Sequence, residues 1–433
     1  MDGYCKRCGA QLYENATSCH RCGASVLAVA YVNQTPQKKK FPIWPLIVII
    51  AVALITAIII VVFARGNSTH TIIDDPFLDD EPFVINVSGT EDSPVAEEDS
   101  NGEDPNDEPD EEEPVIIERG TFTDIPLIIG EGTDFPLYAI MSIPDNVTDK
   151  VPAVVLVHGD GIFDLDEEVF GNKPFLDIAE YLASHGIAVI RYDKRNFKHY
   201  HKIRSVYGGA FTARETVIED FLLALEIIKA DPHVDEDKVF LLGHSFGGYI
   251  APRIYIEDGG FAGIISYAGT PLGYLDRAQY FEMDRIDKMP EGPRKQLEYE
   301  KQEKWLEDFR YRLENAPDEE LQDEWWGEYS LYFYKDLESH PIPDYAIQAT
   351  IPFIILQGSD DFAVDVVHDY AAWLEIFEGR DNVTFKLYEG LNHFFFPSQG
   401  YEFKDWEKEY SVPGHTDEQV LADTVEWIYS ICR

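Results

Sequence analysis

The stretch that most constrains the fold is residues 239–250, which read VFLLGHSFGGYI. Four apolar residues lead into Gly243 and Ser245, and a pattern typical of a helix follows. This G-x-S-x-G arrangement predicts a buried strand, a sharp turn that carries the serine, and then a helix. Glycine suits the positions two residues either side of the serine, because side chains there would collide with the neighbouring strand and helix. The alternative is a glycine-rich turn that contains a serine by chance.

Apolar runs alternate with helical patterns over residues 115–433. Strands are predicted at 137–143, 153–157, 187–193, 239–243, 262–269, 351–358 and 383–390, and helices at 174–185, 214–230, 366–377 and 416–431. Runs such as AVVLV are apolar throughout, which is typical of parallel strands that are buried on both faces. The alternation predicts an α/β fold, with a doubly wound, mostly parallel sheet between two layers of helices.

The alternation breaks at about 273–343, where the sequence is charged and rich in Trp and Tyr. The pattern predicts helices, and the segment falls between two core strands. We expect this insertion to form a helical cap over the rim of the active site, where it would shape the substrate pocket. The alternative is a structural decoration that faces solvent.

The residues that would activate the serine follow two later strands. A serine hydroxyl is a weak nucleophile until a nearby base accepts its proton and a carboxylate orients that base. Behind this kind of turn, the acid and then the histidine follow the serine along the chain. One predicted strand runs into Asp360 and Asp361, and the next runs into His393. We predict catalytic Ser245, Asp361 and His393, with Asp360 a close alternative for the acid and Asp365 a distant one.

Two backbone N–H groups are needed to stabilise the negative oxygen that develops on the substrate. We expect one from Phe246, which directly follows the serine. The other should come from the loop after the strand at 153–157, which reads HGDG. Its glycines let the backbone approach the substrate, so the amide of Asp160 is the expected donor. The Asp160 carboxylate should face away from the oxyanion, because its charge would oppose catalysis.

Four of the five cysteines lie in the first 22 residues, as two C-x-x-C pairs that are each followed by glycine. Cys5, Cys8, Cys19 and Cys22 predict a closed tetrahedral site for one structural Zn²⁺, because each turn directs two thiolates at the same ion. Such a short segment would gain its folding free energy from the metal. The alternative is a redox or disulfide pair. The predicted ribbon domain spans residues 1–26, of which residues 4–24 resemble the zinc ribbon at the start of many prokaryotic membrane proteins. No catalytic cofactor is expected.

Residues 41–63 contain no charged side chain, and a helix of this length spans a hydrocarbon core of roughly 30 Å. We predict a single transmembrane helix, preceded by a basic juxtamembrane linker at 27–40. A cleaved signal peptide is disfavoured because the apolar run is too long and begins too far from the N-terminus. Lysines at 38–40 precede the span, so the positive-inside rule predicts a cytoplasmic N-terminus and a large domain outside the cell membrane.

Residues 64–114 are dominated by Asp, Glu, Pro and Ser, which predicts a disordered acidic linker with too little apolar surface to fold. The whole chain has 80 acidic and 35 basic residues and a net charge of −45. This charge argues against a nucleic-acid partner.

Residues 120–433 resemble the α/β-hydrolase superfamily, in particular its dienelactone hydrolase-like, BAAT-like and prolyl oligopeptidase-like (S9) members. The stretches that carry the resemblance are LVHGDG, LLGHSFGGYIAPRI, IILQGSDDFAV and KLYEGLNHFF. The resemblance implies Ser245 as nucleophile, Asp361 as acid and His393 as base, with Asp193 as a structural anchor. The superfamily includes esterases, thioesterases and peptidases, so no single substrate is implied.

The favoured hypothesis is a membrane-anchored serine hydrolase that cleaves carboxylic ester or related acyl bonds of a small molecule through an acyl-enzyme intermediate. One alternative is an S9-like exopeptidase, which would need acidic residues to bind the amino terminus of a peptide. Another is a non-catalytic membrane sensor or scaffold that uses the hydrolase fold for binding. In either case the zinc ribbon is a candidate site for a cytoplasmic protein partner.

Overall fold

The structure, a computed structural model, describes residues 120–433. The predicted zinc ribbon at 1–26, juxtamembrane linker at 27–40, transmembrane helix at 41–63 and acidic linker at 64–114 lie outside the described residues. Within residues 120–433, no helix combines the length and the apolar composition that a membrane span requires.

An eight-stranded sheet forms the centre of the described domain. The strands of the domain are β1 (Phe122–Ile129), β2 (Leu137–Pro144), β3 (Val151–Val157), β4 (Ala188–Tyr192), β5 (Val234–His244), β6 (Gly263–Tyr267), β7 (Trp325–Trp326), β8 (Tyr329–Ser330), β9 (Phe353–Gly358) and β10 (Val383–Tyr388). The order in the sheet is β1-β2-β4-β3-β5-β6-β9-β10, and β7 and β8 form a separate hairpin. β1, β2 and β4 pair antiparallel, whereas all pairs from β4 to β10 are parallel. The predicted mostly parallel sheet is confirmed.

Helices connect the strands. They are α1 (Pro174–Ser184), α2 (Arg195–Tyr207), α3 (Glu219–Ala230), α4 (Phe246–Glu257), α5 (Tyr274–Asp287), α6 (Pro293–Asn315), α7 (Asp318–Asp323), α8 (Leu331–Ser339), α9 (Ile342–Gln348), α10 (Ala371–Ile376), α11 (Trp406–Tyr410) and α12 (Glu418–Cys432).

The burial of β5 explains its continuous apolar run. Val239 and Leu241 pack into the hydrophobic cluster on one face of the sheet, whereas Phe240 and Leu242 pack into the cluster on the other face. All four side chains are fully buried. A parallel strand with helices on both faces needs apolar side chains at successive positions. The same burial fixes where the strand ends, and Ser245 follows directly.

Among the elements that were not predicted from the sequence are β1 and α2. β1 lies at an edge of the sheet, most of its side chains are exposed, and Pro126 interrupts its pattern. α2 is rich in charged and aromatic residues and has a weak apolar stripe. The helices predicted from residues 214 and 366 begin instead with π-helical turns, Arg214–Ile218 and Val366–Tyr370, and continue as α3 and α10.

The segment predicted to form the cap lies between β6 and β9, where the structure has α5 to α9 and the β7–β8 hairpin. Tyr274 at the start of α5 and Tyr329 in β8 donate hydrogen bonds to the carboxylate of Asp160, at 3.0 and 2.8 Å. The ring of Phe333 in α8 lies 6.5 Å from the ring of Phe246, measured between centroids. The insertion therefore contacts both residues that were predicted to stabilise an oxyanion.

Candidate active site

Ser245 occupies the sharp turn between β5 and α4, with φ 50° and ψ −110°. Non-glycine residues rarely adopt a positive φ, so this backbone is strained, as the motif predicts. A Cβ added at Gly243 would lie 2.2 Å from the carbonyl carbon of Gly247, and one added at Gly247 would lie 2.1 Å from the carbonyl oxygen of Val157. Close backbone approach therefore excludes side chains at both glycines. The serine itself is partly exposed.

His393 and Asp361 form a close, buried pair. Nδ1 of His393 lies 2.7 Å from Oδ2 of Asp361, and both residues are less than 10% exposed. The other carboxylate oxygen, Oδ1, accepts hydrogen bonds from the backbone N–H groups of Ala363 and Val364, at 2.7 and 2.8 Å. The side chain of Gln357 donates to Oδ2 at 3.0 Å. These donors hold the carboxylate in one orientation and leave Nε2 of His393 as the atom available for proton transfer.

The structure separates the three aspartates that were considered for the acid. Asp360 is exposed, and its carboxylate accepts a hydrogen bond from the neighbouring hydroxyl of Ser359 at 2.9 Å. Asp365 caps the following turn and contacts His368, with 2.9 Å between its Oδ2 and the imidazole Nδ1. Only Asp361 is placed against His393.

His244, which precedes the serine, links three segments of the site. Its Nε2 donates to the backbone carbonyl of His393 at 3.0 Å, and the two rings are 4.7 Å apart. Its Nδ1 lies 3.1 Å from Oε2 of Glu167, which is fully buried. These two atoms are poorly aligned for a hydrogen bond, so the contact is mainly electrostatic. His244 therefore links the turn of Ser245 to the backbone of His393 by a hydrogen bond.

Charge at the Glu167–His244 pair is set by competing effects. Burial by itself raises the pKa of Glu167, but the nearby imidazole of His244 outweighs it and holds that pKa below its usual value. Burial by itself lowers the pKa of His244, yet the carboxylate of Glu167 raises it overall. Both directions favour a carboxylate facing an imidazolium.

The loop at residues 158–161, here called the oxyanion loop, follows β3 and lies against Ser245. A Cβ added at Gly159 would be 3.2 Å from Cβ of Ser245. Within the described chain, the backbone N–H groups of Asp160 and Phe246 donate no hydrogen bond to another protein group. The Asp160 carboxylate is engaged by the two tyrosines of the insertion and by the N–H of Gly161, at 2.9 Å. Both predicted donors are thus free to bind a substrate oxygen.

Lys194 and Glu167, which both contact the oxyanion loop, were missed by sequence reasoning. Lys194 is 3% exposed, and its Nζ donates to the carbonyls of Gly159 and Gly161, at 2.6 and 2.9 Å. Glu167 accepts the N–H of Gly159 through Oε1 at 2.6 Å. Glu167 has φ 54°, which is an unusual value for a glutamate. No sequence pattern predicts this conformation. Lys194 directly follows Asp193, the structural anchor that the resemblance implies, and Oδ1 of Asp193 accepts the N–H of Leu165 at 3.1 Å.

Metal-binding groups are few in the described domain. Ligand atoms of Asp284, Asp365 and His368 lie within 4.8 Å of one another, on partly or fully exposed side chains. They are not among the residues that surround Ser245. The predicted zinc ligands Cys5, Cys8, Cys19 and Cys22 lie outside the described residues.

The fold and the site define an α/β hydrolase with a serine in its nucleophile turn. Residues 154–405 match the Alpha/beta hydrolase family, and the chain belongs to this family. The matched range contains Ser245, Asp361 and His393. The predicted superfamily is confirmed.

Among relatives, the chain is 34% identical over 281 residues to "Esterase EstD" of Thermotoga maritima, an alignment that covers 64% of this chain and 62% of that protein. The chain thus spans less than two thirds of the relative's length. Among solved structures it is similar to Est1E from Butyrivibrio proteoclasticus, with 18% identity, a TM-score of 0.44, and 71% of this chain and 98% of that chain covered. It is also similar to the acylaminoacyl peptidase of Pyrococcus horikoshii, with 14% identity, a TM-score of 0.43, and coverages of 72% and 44%.

Proposed function

We propose that this protein is a carboxylesterase-like serine hydrolase with the catalytic triad Ser245, Asp361 and His393. The observation that carries the proposal is the buried 2.7 Å contact between His393 Nδ1 and Asp361 Oδ2, beside the strained turn of Ser245. The family match and the relative described as an esterase support the same reaction class. A small-molecule ester is the proposed substrate class.

The proposed reaction has two halves. His393 Nε2 accepts the hydroxyl proton while Ser245 Oγ attacks the acyl carbon, and Asp361 stabilises the imidazolium that forms. The backbone N–H groups of Phe246 and Asp160 stabilise the oxyanion of the tetrahedral intermediate. The intermediate expels the alcohol, which takes the proton from His393 and leaves an acyl-serine. A water molecule, deprotonated by His393, then attacks the acyl carbon. The bond from that carbon to Ser245 Oγ breaks, Oγ takes the proton back from His393, and the carboxylic acid is released.

The reaction class is tested with purified full-length protein. We expect turnover of p-nitrophenyl esters over a range of acyl chain lengths, and much slower turnover of aminoacyl and dipeptidyl p-nitroanilides. Ser245→Ala should abolish ester turnover. Faster cleavage of the anilides than of the esters would favour the exopeptidase alternative, and no turnover of either class would favour a binding role.

We further propose that the hydrolase domain is anchored outside the cell membrane by the helix at 41–63 and the linker at 64–114. Cys5, Cys8, Cys19 and Cys22 would hold a structural Zn²⁺ on the cytoplasmic side, where the ribbon would be available to a protein partner. The uncharged run at 41–63 and the preceding lysines support this orientation. A protease added outside intact cells should release an active domain by cutting the linker. Full protection of the domain until the cells are lysed would contradict it.

A further inference from the structure

A buried cation lies directly beneath the oxyanion loop. Lys194 Nζ donates to the carbonyl oxygens of Gly159 and Gly161, and the side chain of Asn196 donates to Gly161 as well, at 3.0 Å. Lys194 is 3% exposed. These hydrogen bonds therefore fix the orientation of the Gly159 and Gly161 carbonyls on the side of the loop that faces Lys194.

The geometry of a peptide unit transmits this contact to the expected oxyanion donor. The carbonyl of Gly159 and the N–H of Asp160 belong to the same planar trans peptide, so they point in opposite directions. Because Lys194 holds the carbonyl, the N–H must face the other side of the loop. That N–H has no protein acceptor among the described residues, and the loop packs against Ser245.

Glu167 binds the preceding peptide unit, His158–Gly159, through its N–H group. Its Oε1 accepts the N–H of Gly159 at 2.6 Å, so a carboxylate binds the N–H of Gly159 and the ammonium of Lys194 binds its carbonyl. In the part of the chain that the structure describes, Lys194 forms no ion pair within 4.0 Å, and the polar groups that its Nζ contacts directly are the two carbonyls. Burial lowers the pKa of Lys194, and the carboxylates of Asp160, Glu167 and Glu328 oppose this from a greater distance. A buried ammonium without an ion-pair contact is costly, which argues for a role beyond packing.

We propose that Lys194 is a positioning residue of the oxyanion hole, which holds the Gly159–Asp160 peptide so that the Asp160 N–H faces the substrate oxygen. Its positive charge on the carbonyl side also polarises this peptide and strengthens the N–H as a donor. The inference rests on the proposed function, since it assigns a part to Lys194 in the same site.

The experiment compares Lys194→Met, which keeps most of the side-chain volume, with Lys198→Met, the same change at an exposed lysine in α2, the helix that begins directly after Lys194. Active sites are first titrated with a fluorophosphonate, so that kcat refers to folded, reactive enzyme. For Lys194→Met we expect kcat on a p-nitrophenyl ester to fall about 10- to 100-fold, with KM within about threefold of the parent. Lys198→Met should leave both unchanged.

A second readout separates positioning from a general structural role. A trifluoromethyl ketone forms a tetrahedral oxyanion on Ser245, so its affinity should fall in Lys194→Met by the same factor as kcat/KM. A purely structural role would lower the fraction of titratable sites but leave kcat and inhibitor affinity per site unchanged, and that result overturns the proposal. If Lys194→Met does not fold, Lys194→Gln replaces it, with an expected loss of inhibitor affinity of at least about fivefold; parent-like affinity there also overturns it.

The two proposals fail in different ways. If the parent protein turns over no ester and does not bind the ketone, the proposed function itself is wrong. If the parent is active and Ser245→Ala is inactive, but the Lys194 variants match the parent per active site, only the role of Lys194 is wrong.

Discussion

The imidazole of His393 and the carboxylate of Asp361 meet at 2.7 Å, although 32 residues separate them in the sequence. β9 and β10 are parallel neighbours, so the turns that follow them emerge at the same edge of the sheet. The backbone donors of Ala363 and Val364 then orient the carboxylate toward the histidine. The contact is thus a consequence of strand order and of one tight turn.

Loss of the Asp361 charge should slow the reaction without disrupting the fold. Asp361→Asn keeps the shape of the side chain but no longer stabilises the imidazolium or its tautomer, so we expect kcat to fall about 10³- to 10⁴-fold. Asp360→Asn, one residue away on the exposed side of the turn, is the matched control and should retain parent activity. The measurement is kcat on a p-nitrophenyl ester at neutral pH. Equal losses of kcat in both variants would contradict the assignment of Asp361, rather than Asp360, as the triad acid.

The turn at Ser245 should not tolerate a side chain at Gly243. Alanine there would place Cβ 2.2 Å from the backbone of Gly247, and neither strand nor helix can move freely. We expect Gly243→Ala to lower the free energy of unfolding by more than about 3 kcal/mol. Gly414→Ala is a suitable control, because its Cβ would meet only side-chain atoms of Phe396, at 3.4 Å or more. Urea unfolding followed by circular dichroism measures both, and a parent-like midpoint for Gly243→Ala would be incompatible with the structure.

The hydroxyl groups of Tyr274 and Tyr329 should matter for catalysis through Asp160. They donate two of the hydrogen bonds that stabilise its carboxylate, which lies beside the expected oxyanion donor. In the double variant Tyr274→Phe, Tyr329→Phe the charge is less well compensated and opposes the developing oxyanion. We expect kcat to fall about 3- to 30-fold, since hydrogen bonds to a charged group contribute roughly 1.5–3 kcal/mol. Tyr332→Phe serves as the control; a double variant as active as this control would exclude the effect.

Acid should destabilise the domain partly through His158. Burial lowers the pKa of His158 from 6.5 to about 4, and its Nε2 donates to the carbonyl of Asp164 at 2.9 Å. In the unfolded chain the imidazole takes up a proton below about pH 6.5, whereas the folded protein keeps it neutral. The stabilisation is therefore present above pH 6.5 and is lost as the pH falls toward 4, by up to about 3 kcal/mol.

His158→Gln tests the direction of this pH dependence of stability, because glutamine keeps an N–H donor but does not titrate. The free energy of unfolding is measured for both proteins between pH 7.5 and 4. Other buried groups contribute as well, such as Asp220, whose pKa burial raises to about 7. The relevant quantity is therefore the difference between the two proteins. We expect the variant to lose less stability than the parent over this interval, and parallel curves would contradict the assignment.

Sequence reasoning worked where local pattern and strand order determine structure. The G-x-S-x-G turn, the apolar central strands, and the positions of Ser245, Asp361 and His393 after strand ends all followed from motif and periodicity. It favoured Asp361 as the acid but could not exclude Asp360, because neighbouring residues in a turn differ only in the direction of their side chains. It missed Lys194 and Glu167, because their contacts with the oxyanion loop depend on packing between segments up to 35 residues apart. β1 was missed because an exposed edge strand needs no apolar alternation.

The central claim is that Ser245 is the nucleophile, and covalent labelling tests it most directly. The purified protein is treated with a fluorophosphonate probe, and the modified residue is identified by mass spectrometry after proteolysis. We expect labelling at Ser245 in the parent, no labelling in Ser245→Ala, and parent-like labelling in Ser266→Ala, a buried serine of β6. Labelling that persists in Ser245→Ala, or that maps to another residue, would contradict the account.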